Sequence, residues 1–329
     1  MTIVSEAMPR PAAAEARAAT VRRFALTDTV FHALTRASAI LVLVILGGVA
    51  ISLVVGAWPA LSAFGASFLA TQAWNPVTEN FGALAPIYGT VVTSAVAILI
   101  AVPIGIGIAV FLTELCPRPL RRPIGIAVEL LAGIPSIIYG IWGLFVFAPF
   151  LQVYLQPLVI GLFKGVPVLE NLFAGPPYGI GLLTSALILA IMVLPFITSI
   201  TKDVFDTVPA VLKESAYGIG CTTWEVTRRI VIPYTRVGIM GGVMLGLGRA
   251  LGETMAVTFV IGNAHRISAS LFAPGTTISA TIANEFTEAD GELYTSSLVA
   301  LGLILFVITF LILAAARFML MRIERRAGA

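Results

Sequence analysis

Long apolar stretches alternate with short polar segments along the chain. Six of these stretches carry at most two charged residues each: 37–57, 84–113, 130–151, 180–201, 237–262 and 293–316. About 20 consecutive apolar residues cross a bilayer as a helix, and a helix satisfies its own backbone hydrogen bonds there. The pattern therefore predicts an all-α integral membrane protein with six transmembrane helices.

Composition supports this class, because 58% of the 329 residues are hydrophobic and only 11% are charged. Soluble domains carry about 25% charged residues. Seventeen of the 20 Lys and Arg residues fall before span one, between spans two and three, between spans four and five, or after span six. Basic residues accumulate in cytoplasmic loops, so both chain ends are expected in the cytoplasm and only Lys164 and Arg266 outside. The net charge of +3 gives no indication of a nucleic acid partner.

This topology divides the chain into three parts. Residues 1–35 are expected to form a loosely ordered cytoplasmic tail, residues 36–318 the transmembrane domain, and residues 319–329 a second cytoplasmic tail. Within the transmembrane domain, the cytoplasmic loop 202–236 is longer than a simple connection between two spans requires. We therefore expect this loop to have a function of its own.

The sequence of this loop predicts a helix, a turn and a second helix. Gly218 and Gly220 mark the turn, and Thr222 with Glu225 has the spacing of a capping box. Pro233 is expected to end the second helix. Two interpretations remain open: an amphipathic helix lying on the membrane surface, or a helix that docks into a groove of another protein.

The fifth span contains two charges, Arg249 and Glu253, in the stretch GLGRALGETMAV. A charge at the centre of a membrane helix costs about 2.5–3.5 kcal/mol. A spacing of four residues would place both side chains on one helix face, where they could meet. The pair could hold two helices together, or it could line a translocation path in which the Arg249 fork binds an oxyanion. In the second case Glu253 would prevent the anion from being trapped.

The motif Glu214-Ser215-Ala216, followed by Gly220 and by the sequence Ile-Val-Ile-Pro ending at Pro233, resembles the EAA loop of ABC-importer permeases. Further stretches resemble the membrane subunits of phosphate importers in that family: AGIPSIIYGIWG (132–143), WNPVTENFG (74–82), TTISATIANEF (276–286) and GRALGETMAV (248–257). The resemblance covers most of the chain from about residue 30 onward. Ser215 and Ile232 are mild departures from the EAA pattern.

The resemblance implies a type I importer permease in a bacterial plasma membrane, with a cytoplasmic coupling helix that docks onto an ATP-binding subunit. The coupling residues would be Glu214, Ser215, Ala216, Gly220, Trp224, Ile230 and Pro233. The partners would be a second permease, two ATP-binding subunits and an extracytoplasmic phosphate-binding protein. Arg249 and Glu253 would take part in phosphate passage.

The chain is not expected to hydrolyse ATP itself. A nucleotide-binding P-loop needs Lys followed by Ser or Thr, whereas Lys164, Lys202 and Lys213 are followed by Gly, Asp and Glu. We therefore expect no catalytic residue and no cofactor, with ATP and magnesium bound by a partner. No metal site is expected either, because Cys116, Cys221 and the two histidines, His32 and His265, have no ligand partner at metal spacing.

Three other functions remain open. The chain could be a permease for sulfate, molybdate or tungstate, since a lone Arg does not discriminate among oxyanions. It could be a secondary transporter or channel that uses Arg249 and Glu253 as an ion relay. It could also be a membrane scaffold in which the two charges are only structural.

Overall fold

The computed structural model describes the backbone of residues 11–327 and the side chains of residues 27–322. Six helices in this part of the chain are long and apolar enough to cross a membrane. They are Thr27–Phe64, Leu84–Leu115, Ser136–Phe163, Leu182–Asp206, Thr223–Gly252 and Glu292–Arg322. The prediction of an all-α protein with six spans is therefore confirmed, while several of the predicted span limits are corrected below.

The chain divides into two units, residues 1–55 and residues 56–329. The first unit consists, where it is described, of the greater part of helix α1, which runs over Pro11–Phe64. The expected loose tail is thus helical from residue 11 to residue 35, and residues 1–10 lie outside the described residues. Proline at the first helical position and the alanines after it favour a helix here.

A short helix and a small hairpin follow α1 in the second unit. Helix α2 covers Ser67–Ala70, and strands β1 (Trp74–Asn75) and β2 (Asn80–Phe81) pair antiparallel. Trp74 lies opposite Phe81 in this register. Helix α3 (Leu84–Val110) then continues into a π-helical segment, Phe111–Leu115.

The third span begins later than the sequence predicted. Helix α4 (Arg118–Ala132) ends before Pro135, and the next helix, α5 (Ser136–Trp142), begins directly after that proline. Proline has no N–H to donate and disfavours a helical conformation in the residue before it. The apolar stretch 130–151 is therefore interrupted near its start, and the span covers Ser136–Phe163 instead.

The remainder of the third span is a series of short helical segments. A π-helical segment, Gly143–Phe147, is followed by α6 (Ala148–Phe150), a second π-helical segment (Leu151–Leu155) and α7 (Gln156–Phe163). Helix α8 (Pro167–Leu172) lies in the connection to the fourth span.

Helix α9 (Leu182–Asp206) is the central helix of the second unit. Its side chains Ile188, Leu189, Met192 and Val193 are almost fully buried. The fifth span packs closely against it, because a Cβ added at Gly246 would lie 2.9 Å from Val193 Cγ1. Gly238, Gly242 and Gly246, which repeat every four residues, all face α9 and permit this close packing.

The cytoplasmic segment after α9 contains helix α10 (Ala210–Gly218) and helix α11 (Thr223–Val226). A π-helical segment (Thr227–Val231) joins α11 to α12, which runs over Ile232–Gly252. The predicted helix end at Pro233 is therefore wrong. Proline is tolerated in the first turn of a helix, and here it follows a π-helical turn in which the usual hydrogen-bond pattern is already shifted.

The fifth span ends at Gly252 rather than near residue 262. It is followed by α13 (Met255–Thr258), an irregular segment and α14 (Ile278–Glu285). Helix α15 (Glu292–Ala327) forms the sixth span and includes most of the predicted C-terminal tail.

Candidate functional site

Arg249 lies in the last turn of α12, with its side chain partly buried. Its guanidinium carbon lies 4.5 Å from the centre of the Phe196 ring, in position for a cation–π contact. Its Nε is buried and has no hydrogen-bond partner among the described residues. A buried donor without a partner is costly, so an acceptor placed beside Arg249 Nε would be favourable.

The prediction that the Arg249 and Glu253 side chains lie on one helix face is wrong, because the helix does not continue to Glu253. Gly252 is the last residue of α12, and Glu253 adopts an extended conformation (φ −69°, ψ 130°). One oxygen of its carboxylate accepts a hydrogen bond from the backbone N–H of Ala256 at 3.4 Å. No ion pair joins the two side chains in the part of the chain that the structure describes.

A cavity of about 540 Å³ lies beside Arg249. One wall is a face of α12, and the other walls come from α9 and α15. The lining residues are Phe196, Gly241, Met244, Leu245, Gly248, Arg249, Leu313, Arg317 and Leu320. Two cations, Arg249 and Arg317, thus line a cavity whose other walls are apolar, and apolar surroundings strengthen the attraction between a cation and an anion.

The second candidate region is helix α10, which carries the EAA-like motif. Glu214, Ser215 and Gly220 are exposed, whereas Ala216 is buried in a cluster with Phe205 at the end of α9. Beyond the turn, Trp224 is 64% exposed. The motif thus has one alanine that anchors it to the membrane domain and polar groups that face outward.

Ile230 lies in the π-helical segment after α11, and Pro233 lies in the first turn of α12. Ile230 is partly buried against the same cluster, and Pro233 is exposed. The predicted capping box is confirmed, because Thr222 N–H donates to Glu225 Oε2 at 2.9 Å and Glu225 N–H donates to Thr222 Oγ1 at 3.4 Å.

An ion pair that sequence reasoning missed fixes α10 to the second span. Lys213 Nζ lies 2.6 Å from Glu114 Oε1, and the Glu114 side chain is only 6% exposed. Lys213 belongs to α10 and Glu114 to the π-helical segment that ends the second span. The pair therefore connects α10 to the second span through a nearly buried carboxylate.

Two further ion pairs join α4 to α9 on the same side of the membrane domain. Arg121 Nη2 lies 2.6 Å from Asp206 Oδ1, and Lys202 Nζ lies 3.0 Å from Glu129 Oε1. Glu129 therefore has its cationic partner on α9 and not on its own helix.

A buried polar cluster lies at the other end of the domain, around Glu285 of α14. Its carboxylate accepts hydrogen bonds from Trp74 Nε1 at 2.5 Å and from Tyr294 Oη at 2.8 Å. His265 Nε2 lies 2.9 Å from its other oxygen, and the His265 ring is stacked on Trp74. His265 is thus not isolated, because it pairs with Glu285 and stacks on Trp74.

The cluster also shifts the acidity of Glu285. Burial raises the pKa of this carboxyl, but hydrogen bonds from His265, Tyr294 and Trp74 outweigh burial and leave the pKa below its usual value. The ionised Glu285 carboxylate therefore stabilises the folded state at pH values above the usual carboxyl pKa of about 4.3. This contribution is lost as the pH falls through the lowered pKa of Glu285.

These features define a class of protein: a six-span helical membrane domain with a partly buried cation beside a cavity and an anchored cytoplasmic helix. Residues 101–326 match the family described as the inner membrane component of binding-protein-dependent transport systems. The chain belongs to this family of transport permease subunits.

Several curated relatives are similar over most of their length. A phosphate transport system permease protein PstC from Mesorhizobium japonicum is 82% identical over 329 residues, which is all of both chains. The PstC protein of Pasteurella multocida is 57% identical over 92% of this chain and 94% of its own. A probable PstC from Methanocaldococcus jannaschii is 40% identical over 77% and 80% of the two chains.

Solved structures agree on the fold. A chain of the bacterial alginate ABC transporter, in complex with its pentasaccharide-bound periplasmic protein, has a TM-score of 0.60 and 18% identity. The match covers 92% of this chain and 97% of that one. At this identity the likeness extends to the helical architecture alone.

Proposed function

We propose that this chain is a membrane permease subunit of an ATP-driven importer of inorganic phosphate. The observation that carries the proposal is Arg249, a partly buried cation that lines a cavity between helices and whose buried Nε has no partner among the described residues. A guanidinium offers a planar fork of donors that matches phosphate oxygens. Relatives named as phosphate transport permeases support inorganic phosphate as that anion.

The assembly that we propose contains three further kinds of subunit. A second, PstA-like permease completes the path, two PstB-like subunits bind ATP and magnesium, and a PstS-like protein delivers phosphate from outside. The cavity beside Arg249 supports the need for a second permease, because its apolar walls are open on one side. The complex lies in the bacterial inner membrane with both ends of this chain in the cytoplasm, an orientation supported by the distribution of basic residues.

Arg249 and Glu253 have different roles in the proposed passage. Arg249 binds the phosphate oxygens within the membrane, where the low dielectric strengthens the attraction. Glu253 lies just beyond the end of the same helix and repels a dianion that lingers. A site in a transport path must release its ion as readily as it accepts it, and the two opposite charges provide both properties.

The chemistry that drives transport takes place on the partner subunits, and α10 passes the resulting movement into this chain. The exposed groups of the motif, Glu214, Ser215 and Trp224, contact the ATP-binding subunit. Ala216 and Lys213 transmit its movement to α9 and to the second span, respectively.

The proposal is tested by reconstituting the co-purified complex in vesicles and measuring uptake of labelled phosphate. We expect uptake to require both ATP and the binding protein, and unlabelled phosphate to compete far better than sulfate. Preferential uptake of another oxyanion would show that this anion, and not phosphate, is the substrate. Uptake by this chain alone, driven by an ion gradient, would refute the importer.

The turn after α10 gives a separate prediction for Gly220→Val. Gly220 has φ +91°, a conformation that a β-branched residue adopts only with strain, although no atom lies within 4 Å of an added Cβ. The left-handed region costs about 1–2 kcal/mol for a residue with a Cβ. We expect this variant to retain fewer ATP-binding subunits on affinity purification and to lose most ATP-driven uptake.

Gly218→Ala is the matched control for this prediction. Gly218 is the last residue of α10, and an added Cβ there also meets no atom within 4 Å. Its φ is not positive, so the substitution introduces no strain. Equal losses in Gly218→Ala and Gly220→Val would show that backbone conformation at Gly220 is not what matters.

A further inference from the structure

A second cavity, of about 440 Å³, lies between the segment after α8 and the irregular segment between α13 and α14. Leu271 N–H donates to Leu172 O at 2.8 Å, and Ser270 Oγ donates to Ala174 O at 2.6 Å. These bonds join the two walls directly. The cavity is therefore formed by the chain itself and does not depend on a ligand to hold its walls together.

The lining of this cavity is rich in hydrogen-bond donors. Arg266, Asn171, Tyr178 and Ser268 all contribute to it. The Arg266, Asn171 and Tyr178 side chains are exposed, and among the described residues none of them has a hydrogen-bond or ion-pair partner, so all three are accessible to a ligand from solution. Ser268 Oγ accepts a bond from Ser270 N–H at 3.2 Å, which leaves its own proton free to donate.

The cavity also differs in charge from its surroundings. The predicted extracytoplasmic side of this chain is acidic, with Glu285, Glu288, Asp290 and Glu292 in a single loop. Lys164, the other basic residue predicted there, lines a smaller cavity together with Glu170. Arg266, by contrast, lines a cavity to which no carboxylate of the described residues contributes.

We infer that this cavity is a binding site for inorganic phosphate at the extracytoplasmic entrance, with Arg266 as its cation. The inference rests on the proposed function, since it supplies a stage before the ion reaches Arg249. A guanidinium with neutral hydroxyl and amide donors is the donor set that phosphate oxygens accept. Because the cavity is larger than the ion, phosphate keeps part of its water there, and bridging waters complete its hydrogen bonds.

The cavity is also attached to the helices that carry the cavity beside Arg249. The segment that begins at the end of α12, directly after Arg249, passes through α13 and reaches Arg266. The cavity wall is fixed to the start of α9 by the bond from Leu183 N–H to Leu271 O at 2.8 Å. The cavity wall is thus hydrogen-bonded to α9, the helix that carries Phe196.

The test uses the complete complex in nanodiscs without ATP, carrying Ala269→Cys in a Cys116→Ser, Cys221→Ser background. Ala269 is exposed and lines the cavity, so a neutral maleimide should label a cysteine placed there. We expect phosphate to slow labelling by about tenfold once its concentration exceeds the dissociation constant tenfold, as simple occupancy requires. Arg266→Gln should remove this protection, Arg266→Lys should retain part of it, and Lys164→Gln should leave it unchanged.

Several results would overturn the inference. Labelling that does not respond to phosphate would show that the ion does not occupy the cavity. Protection by the phosphate-free binding protein, but not by phosphate, would make the cavity a protein contact surface. Equal loss of protection in Arg266→Gln and Lys164→Gln would reduce the effect to general surface charge.

Uptake measured on the same preparation separates the two hypotheses. Import of phosphate without protection at residue 269 would refute only the entrance site. Protection by phosphate without ATP-driven import would instead refute the proposed function and leave an anion site on a different kind of membrane protein.

Discussion

Replacing Arg249 with glutamine should lower phosphate uptake at least about thirtyfold, because truncating one partner of a charge-assisted contact costs about 2–5 kcal/mol. Glutamine keeps a hydrogen-bond donor but removes the positive charge. Arg249→Lys should retain some uptake, since it keeps the charge but loses the planar fork. The measurement is initial uptake rate in vesicles at saturating ATP and binding protein.

The control variants for this experiment separate charge from packing. Arg322 lies over the Phe318 ring at 4.5 Å and does not line the cavity, so Arg322→Gln should transport normally. Phe196→Leu removes the ring beneath Arg249 but keeps the cation, and we expect only a small loss. Wild-type uptake by Arg249→Gln, with the complex assembled, would exclude Arg249 from the path.

The basal ATPase activity of the Arg249→Gln complex is a second measurement, which distinguishes a role of Arg249 in transport from a role in assembly. We expect it to remain, because Arg249 is far along α12 from the α10 segment that carries the coupling motif. Loss of both ATPase activity and subunit association would mean that the substitution damages assembly. In that case the charge would have the structural role that was the alternative interpretation of the sequence.

The six spans could be predicted because membrane crossing depends on an additive property, the apolar content of about 20 neighbouring residues. Their ends could not, because these depend on single positions. The break at Pro135 and the end of α12 at Gly252 each lie inside an apolar run. A window that averages hydrophobicity does not register one proline or one glycine.

The same limit explains the error at Arg249 and Glu253. A spacing of four residues brings two side chains together only if the helix continues through both. The helix ends one residue before Glu253, so the two charges are separated although the spacing is ideal. The local capping box at Thr222, by contrast, needs only four consecutive residues and was predicted correctly.

Contacts between distant segments were the features that sequence analysis missed. Glu285 and Trp74 are 211 positions apart, so no local pattern links them. One signal was available: both lie in stretches that resemble the phosphate importers, WNPVTENFG and TTISATIANEF. Two such stretches with a tryptophan and a carboxylate could have suggested a shared cluster, although not its geometry.

The largest effect on coupling is expected for Lys213→Ala. This change leaves the nearly buried carboxylate of Glu114 without its cation, and breaking a buried pair on one side costs about 3–5 kcal/mol. Lys213 is about one-fifth exposed, which places the cost at the lower end of that range. We expect α10 to detach from the second span, so that ATP hydrolysis continues while ATP-driven uptake falls to background.

A double variant distinguishes a lost anchor from a lost charge. Glu114→Gln with Lys213→Met replaces the ion pair by neutral side chains of similar size, and replacing both members of a buried pair is often nearly neutral. We therefore expect the double variant to recover much of the uptake that Lys213→Ala loses. Recovery would show that the pair acts by holding α10 in place through packing. If the double variant stays inactive while ATP hydrolysis remains normal, the charges themselves are needed for coupling, and the anchoring argument fails.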